Sequence, residues 1–105
     1  MEGGDFMKAK KILYSILKEI KEGTKINYSD YDITQEEFAT VIEHALKKKY
    51  IENAVVSRAG QGNKVSYIIL NDARLSFEGE VYLDENNLLS KGYKGLKEIR
   101  EWLPL

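Results

Sequence analysis

A chain of 105 residues has the length of one domain, and 43% hydrophobic with 31% charged residues is the balance of a folded rather than a disordered chain. It contains no Cys, which excludes disulfides, thiol nucleophiles and Cys-ligated zinc, and no apolar run approaches the roughly 18 residues of a membrane span. With 16 basic and 17 acidic residues the formal charge is −1, spread evenly along the chain, so the basic excess on which phosphate-neutralising proteins rely is missing.

Residues 1–5 read as a flexible leader, with Met7 an alternative start. They lack the apolar stretch of a signal peptide, so a cytoplasmic address is expected, and residues 6–105 are expected to form a single domain. From Phe6 to Glu22 the residues Ala9, Ile12, Leu13, Ile16, Leu17 and Ile20 recur at helical spacing, with Lys11, Tyr14, Lys18 and Glu22 opposite. Gly23 stands where a helix C-terminus needs a left-handed residue. Thr24 to Ile33 is short and polar, anchored by Ile26, Tyr28 and Tyr31, with room for an extended piece and one helical turn.

Thr34 to Glu37 spell a capping box, in which the Thr34 hydroxyl accepts from the Glu37 amide while the Glu37 carboxylate reaches back. A helix from Gln35 to Lys48 follows, with Phe38, Val41, Ile42, Ala45 and Leu46 on one face and a lysine run at its negative dipole end. Tyr50 to Ser57 and Lys64 to Leu70 read as two strands. The Gly60, Gly62 and Asn63 between them supply positive φ angles, which makes the pair a β-hairpin with a mobile tip. Ser76 can cap a helix carrying Phe77, Val81, Tyr82 and Leu83, ended at Asn86 and Asn87. Ser90 then opens a last helix with Leu89, Gly92, Leu96, Ile99 and Leu103 at three- and four-residue steps, flanked by Tyr93 and Trp102 and stopped by Pro104.

Helix, short connector, helix and glycine-containing hairpin is the order of a winged helix, an α+β fold with a three-helix core and a hairpin wing, here with helices added at the C-terminus. The run Ile33 to Phe38 followed by Lys48 to Ile51 resembles the acid-rich cap, helix and Gly-Tyr-Ile entry into the wing of such domains. Leu75 to Asn86 looks like the Leu-Thr-x-x-Gly-x-x-Tyr-Leu segment that commonly follows the wing. With KKILYSILKEIKE from Lys10 and the closing GYKGLKEIREWL, the pattern is similar to the YjcQ family of bacterial and phage proteins over nearly the whole chain. That resemblance implies a small winged-helix-like fold, no assigned activity and, through phage members, a head-associated role. Lys49 replaces the usual capping Gly and Ser76 the usual Thr, and Thr24 to Ile33 leaves little room for the first helix of a helix-turn-helix.

A DNA-binding winged helix would insert the helix from Gln35 into the major groove and lay the wing on the backbone. Core placement of Phe38 and its partners turns Glu36, Thr40, Glu43 and Lys47 outward, with Glu37, His44 and Lys48 beside them. Carboxylates between two phosphate walls are repelled, so a solvated acidic face is the simpler reading of this surface. The wing suits contact better: Arg58 and Lys64 flank a tip where Gln61 and Asn63 can bond to phosphate or groove edge, helped by Thr40, Lys47 and Lys48 and by the N-terminal Lys8, Lys10 and Lys11. The competing reading is an ordinary polar turn.

His44 is the only histidine, so multi-histidine metal sites and His-activated nucleophiles lack partners. Glu36 and Glu43 lie two turns apart, but no sequence feature supplies the buried pocket that paired-carboxylate chemistry needs. Gly60-Gln61-Gly62 is a hairpin tip and not a phosphate loop. No enzyme activity, catalytic residue, metal, cofactor, membrane or small-molecule ligand is therefore expected. Two functions stay open: a regulator, of prophage kind, that binds duplex DNA, and a protein-interaction or phage structural module. The stripe Leu89, Tyr93, Leu96, Ile99, Trp102 and Leu103 either covers the first helix or forms a homodimer or partner interface.

Overall fold

A computed structural model describes residues 3–103; Met1 and Glu2 of the expected leader and the expected stop at Pro104 lie outside the described residues. The fold is α+β. Helix α1, Gly3–Glu22, starts ahead of the expected Phe6 and forms the spine of the molecule. Ile12, Leu13, Tyr14, Ser15, Ile16 and Leu17 are all buried, so the middle of the helix is enclosed on every side rather than along one stripe, while Ala9 of the expected stripe is exposed. Tyr14, expected opposite that stripe, is only 2% exposed because the C-terminal segment covers it: its ring lies 6.1 Å from that of Tyr93 and 6.3 Å from that of Trp102.

After the stop at Gly23, Tyr28–Tyr31 form the one helical turn that Thr24 to Ile33 had room for, and Tyr31 is fully buried. Helix α2, Gln35–Lys47, opens on the expected capping box, with the Glu37 amide donating to Thr34 Oγ1 at 3.1 Å and the Thr34 amide to Glu37 Oε1 at 2.9 Å. Phe38, Ala39, Ile42 and Ala45 carry its buried face. Its C-terminus shows how the chain manages without a capping glycine. Lys49 itself adopts a left-handed φ of 63°, letting the Tyr50 amide donate back to Ala45 and the Lys49 amide to Leu46.

The strand expected from Tyr50 to Ser57 is broken in two. Asn53, with φ 66°, turns the chain between β1, Ile51–Glu52, and β2, Val55–Ala59. β2 pairs antiparallel with β3, Lys64–Ile69, as the expected hairpin, whereas β1 pairs with β4, Arg74–Leu75, which the sequence pattern does not reveal. Helix α3, Phe77–Glu85, is capped by Ser76, whose Oγ accepts from the Gly79 amide at 3.0 Å. Gly79 is buried where a side chain would collide with the Tyr50 carbonyl and Leu75.

Among the described residues, no long helix forms after α3. The helical turn Asn87–Ser90 is separated by Gly92 and Gly95, with φ of 83° and 97°, from the turn Leu96–Glu98 and the short α4, Ile99–Trp102, which follow one another directly. Ser90 therefore closes a turn instead of opening a helix, and the expected helical seam is replaced by an irregular strap. The strap nevertheless covers α1. Ile99 and Leu103 are 1% and 6% exposed, Lys11 Nζ donates to the Trp102 carbonyl at 2.7 Å, and the Tyr93 hydroxyl donates to Glu19 Oε2 at 2.6 Å. The Tyr93 and Tyr31 hydroxyls both meet Ser15 Oγ, at 2.6 Å and 2.9 Å, so a buried polar cluster ties α1 to the turn before α2 and to the strap. Among the described residues, no helix is long and apolar enough to cross a membrane.

Candidate functional site

The outer surface of α2 has two sides, one against the hairpin and one toward α1, and the expected contact residues divide between them. On the hairpin, alternation sends Val56 and Ile68 inward and leaves Val55, Tyr67 and Ile69 exposed on the far face. Arg58 shares the inner face. Glu36 and Glu43, seven residues apart on α2, lie on the same side of that helix and receive it.

The Arg58 guanidinium donates from Nε to Glu43 Oε2 at 2.8 Å and from Nη2 to Glu43 Oε1 at 2.9 Å, a two-pronged fit. Its Nη1 donates to Glu36 Oε1 at 2.7 Å and to the Asn63 carbonyl at 3.0 Å. The ladder slips by one residue between Ser57 and Arg58, and the Val65 amide donates to Glu36 Oε2 at 2.9 Å. One arginine thus fastens hairpin to helix, with its side chain only 20% exposed.

Charge follows from this geometry. The Val65 amide and then Arg58 hold the Glu36 carboxyl below the usual carboxylate range, and Arg58 does the same to Glu43. The two carboxylates, Glu43 foremost, raise the Arg58 guanidinium above its ordinary value. All three groups are ionised around neutral pH.

The expected residues are placed as follows. Arg58 is turned away from solvent and its Nε, Nη1 and Nη2 all donate within the chain, to Glu43, Glu36 and Asn63, so it does not stand at the hairpin surface for a phosphate. Gln61, Asn63 and Lys64 are exposed at the tip, although the Asn63 backbone serves the Arg58 cluster. The Thr40 hydroxyl donates to the Glu36 carbonyl of its own helix at 3.0 Å, while Lys47 and Lys48 are exposed at the C-terminal end of α2. In the terminal stripe Leu89, Tyr93, Leu96 and Trp102 are half-buried, and Ile99 and Leu103 belong to the core.

On its other side α2 borders a groove of 330 Å³ whose lining includes Lys10 and Leu13 of α1, Thr40, Val41 and His44 of α2, and Tyr82 of α3. The Tyr82 ring is braced by Tyr50, with centroids 4.7 Å apart. Neither the arginine cluster nor this groove is evident in the sequence. The partners of Arg58 precede it by 15 and 22 residues, and the groove needs a side chain from a third helix. The seven-residue spacing of Glu36 and Glu43 was the available signal, since a shared helix face opposite an inward-pointing Arg predicts a pair. Among the described residues, no group of three or more His, Asp or Glu is placed to hold a metal ion.

Comparison with known proteins agrees with the resemblance. Residues 14–102 match the family model described as YjcQ protein. The chain is 33% identical over 98 residues to the uncharacterized protein YjcQ of Bacillus subtilis (strain 168), covering 92% of this chain and 99% of that protein. No solved structure matches it significantly. The chain belongs to the YjcQ family.

Proposed function

We propose that this chain is a non-enzymatic winged-helix module that binds protein rather than duplex DNA. The observation that carries the reading is the Arg58 cluster. The wing's arginine has donors bound to Glu43, Glu36 and Asn63, and a phosphate would have to displace two carboxylates already in hydrogen-bond contact. Glu36 and Glu37 at the start of α2 add repulsion where a recognition helix would approach DNA.

Protein contact is also favoured by the far face of the hairpin. Val55, Tyr67 and Ile69 stand 43%, 50% and 42% exposed there, with Val55 and Ile69 paired directly across the two strands. Glu36 and Glu43 are engaged with Arg58 and give no free acid–base pair, which supports a binding rather than a catalytic role. A structural or head-associated role of the kind the family resemblance implies fits this reading, and so does the reducing cytoplasm for a chain without Cys.

The test is an electrophoretic shift with duplex DNA in about 50 mM salt at tens of micromolar protein. The expected result is no complex. A retained complex that weakens steeply as salt rises overturns the reading.

A further inference from the structure

Resting on that reading, we infer that the groove between α1 and α2 docks an acidic amphipathic segment of a partner protein. The floor is apolar and shaped in advance: Leu13 and Val41 come from two helices packed in the core, and Tyr82 is fixed by its contact with Tyr50. A volume of 330 Å³ lies at the small end of ligand pockets and suits one or two large apolar side chains more than a whole ligand. That is the geometry by which an amphipathic helix seats its anchors in a helical groove.

The sign of the rim selects the partner. Lys10 and His44 line the groove, and Lys47 and Lys48 follow His44 by three and four residues, which puts them on the same side of α2 about one turn on. No carboxylate is among the described residues that line it. Of the nearby carboxylates of α2, Glu36 and Glu43 are paired with Arg58, and Glu37 accepts from the Thr34 amide and hydroxyl in the capping box, so each is already bound to a group of this chain. A partner with aliphatic or aromatic anchors and flanking Asp or Glu complements both the floor and the rim. DNA complements only the rim.

The test is to select from a library of random peptides about 15 residues long, enough for four helical turns, against the folded chain. Enriched peptides are expected to combine Asp or Glu with spaced aliphatic or aromatic residues. They should bind about tenfold more weakly to the double variant Lys10→Glu/Lys48→Glu, the size expected from reversing two rim charges. Val41→Glu, with circular dichroism confirming its fold, should abolish binding; Lys10 and Lys48 are not core positions, so the double variant answers even if Val41→Glu does not fold. Enrichment of basic or uncharged peptides, equal binding to the double variant, or no enrichment overturns the groove assignment. The DNA shift assay separates the two failures. If the native chain still leaves DNA free, only the groove is rejected, whereas DNA retention rejects the protein-binding reading beneath it.

Discussion

Arg58 and Glu43 meet fork to fork, Nε to Oε2 at 2.8 Å and Nη2 to Oε1 at 2.9 Å, across the junction of the hairpin and α2. The planar guanidinium supplies two parallel donors and still has Nη1 for Glu36 and the Asn63 carbonyl. Lysine offers a single point of charge on a flexible stem and cannot reproduce this set. Arg58→Lys is therefore expected to keep the helical core but loosen the hairpin, with faster amide hydrogen exchange at Val65 and little change at Ile42 or Leu17. Unchanged exchange at Val65 would show that the fork does not hold the hairpin.

The same cluster sets an acid limit. Glu36 and Glu43 have carboxyls lowered in the folded protein, so their contribution is complete above the ordinary carboxylate value of about 4.3 and is lost as pH falls through their lowered folded values. Between about pH 5 and pH 8 the hairpin should therefore stay fastened, and on further acidification it should release. The Val65 amide shift followed against pH reads this directly, because that proton is donated to Glu36 Oε2. Glu43→Gln should weaken the transition.

Lys49 provides a stabilising substitution. A non-glycine residue at φ 63° carries a left-handed strain of about 1–2 kcal/mol, partly offset because glycine loses more chain entropy on folding. Lys49→Gly should raise stability by roughly 0.5–1 kcal/mol, read as a higher urea midpoint with an unchanged slope.

Tyr93 holds the C-terminal strap through a hydroxyl shared between Ser15 and Glu19, both buried. Removing it as Tyr93→Phe leaves the Glu19 carboxylate without that donor. The expected loss is about 1–3 kcal/mol, the cost of a buried polar group left without its partner. The near-ultraviolet signal of Trp102, whose ring lies 4.8 Å from that of Tyr93, should change with it.

What could be read in the sequence is what is encoded within a turn or two. The Thr34 capping box, the Ser76 cap, the stop at Gly23 and the hairpin tip are signals of neighbouring residues, and each appears where expected. The C-terminal seam had helical spacing, but Gly92 and Gly95 took left-handed conformations that spacing does not register. The pairing of β1 with β4 joins residues 22 and 24 apart in the chain. The site follows the same rule. Arg58 resembles a phosphate contact and Glu36 and Glu43 a solvated face as long as each is considered alone. Their meaning changes once alternation along β2 turns Arg58 onto α2.

The central claim, that Arg58 is held by Glu43 and Glu36, is tested most directly by the side-chain N–H resonances of its guanidinium near neutral pH. Arg74 and Arg100, 71% and 65% exposed, serve as internal references. Arg58 should give separate Nε and Nη proton signals that exchange slowly with solvent and collapse in Glu43→Gln. A single rapidly exchanging set, indistinguishable from that of Arg74 and Arg100, would contradict the claim.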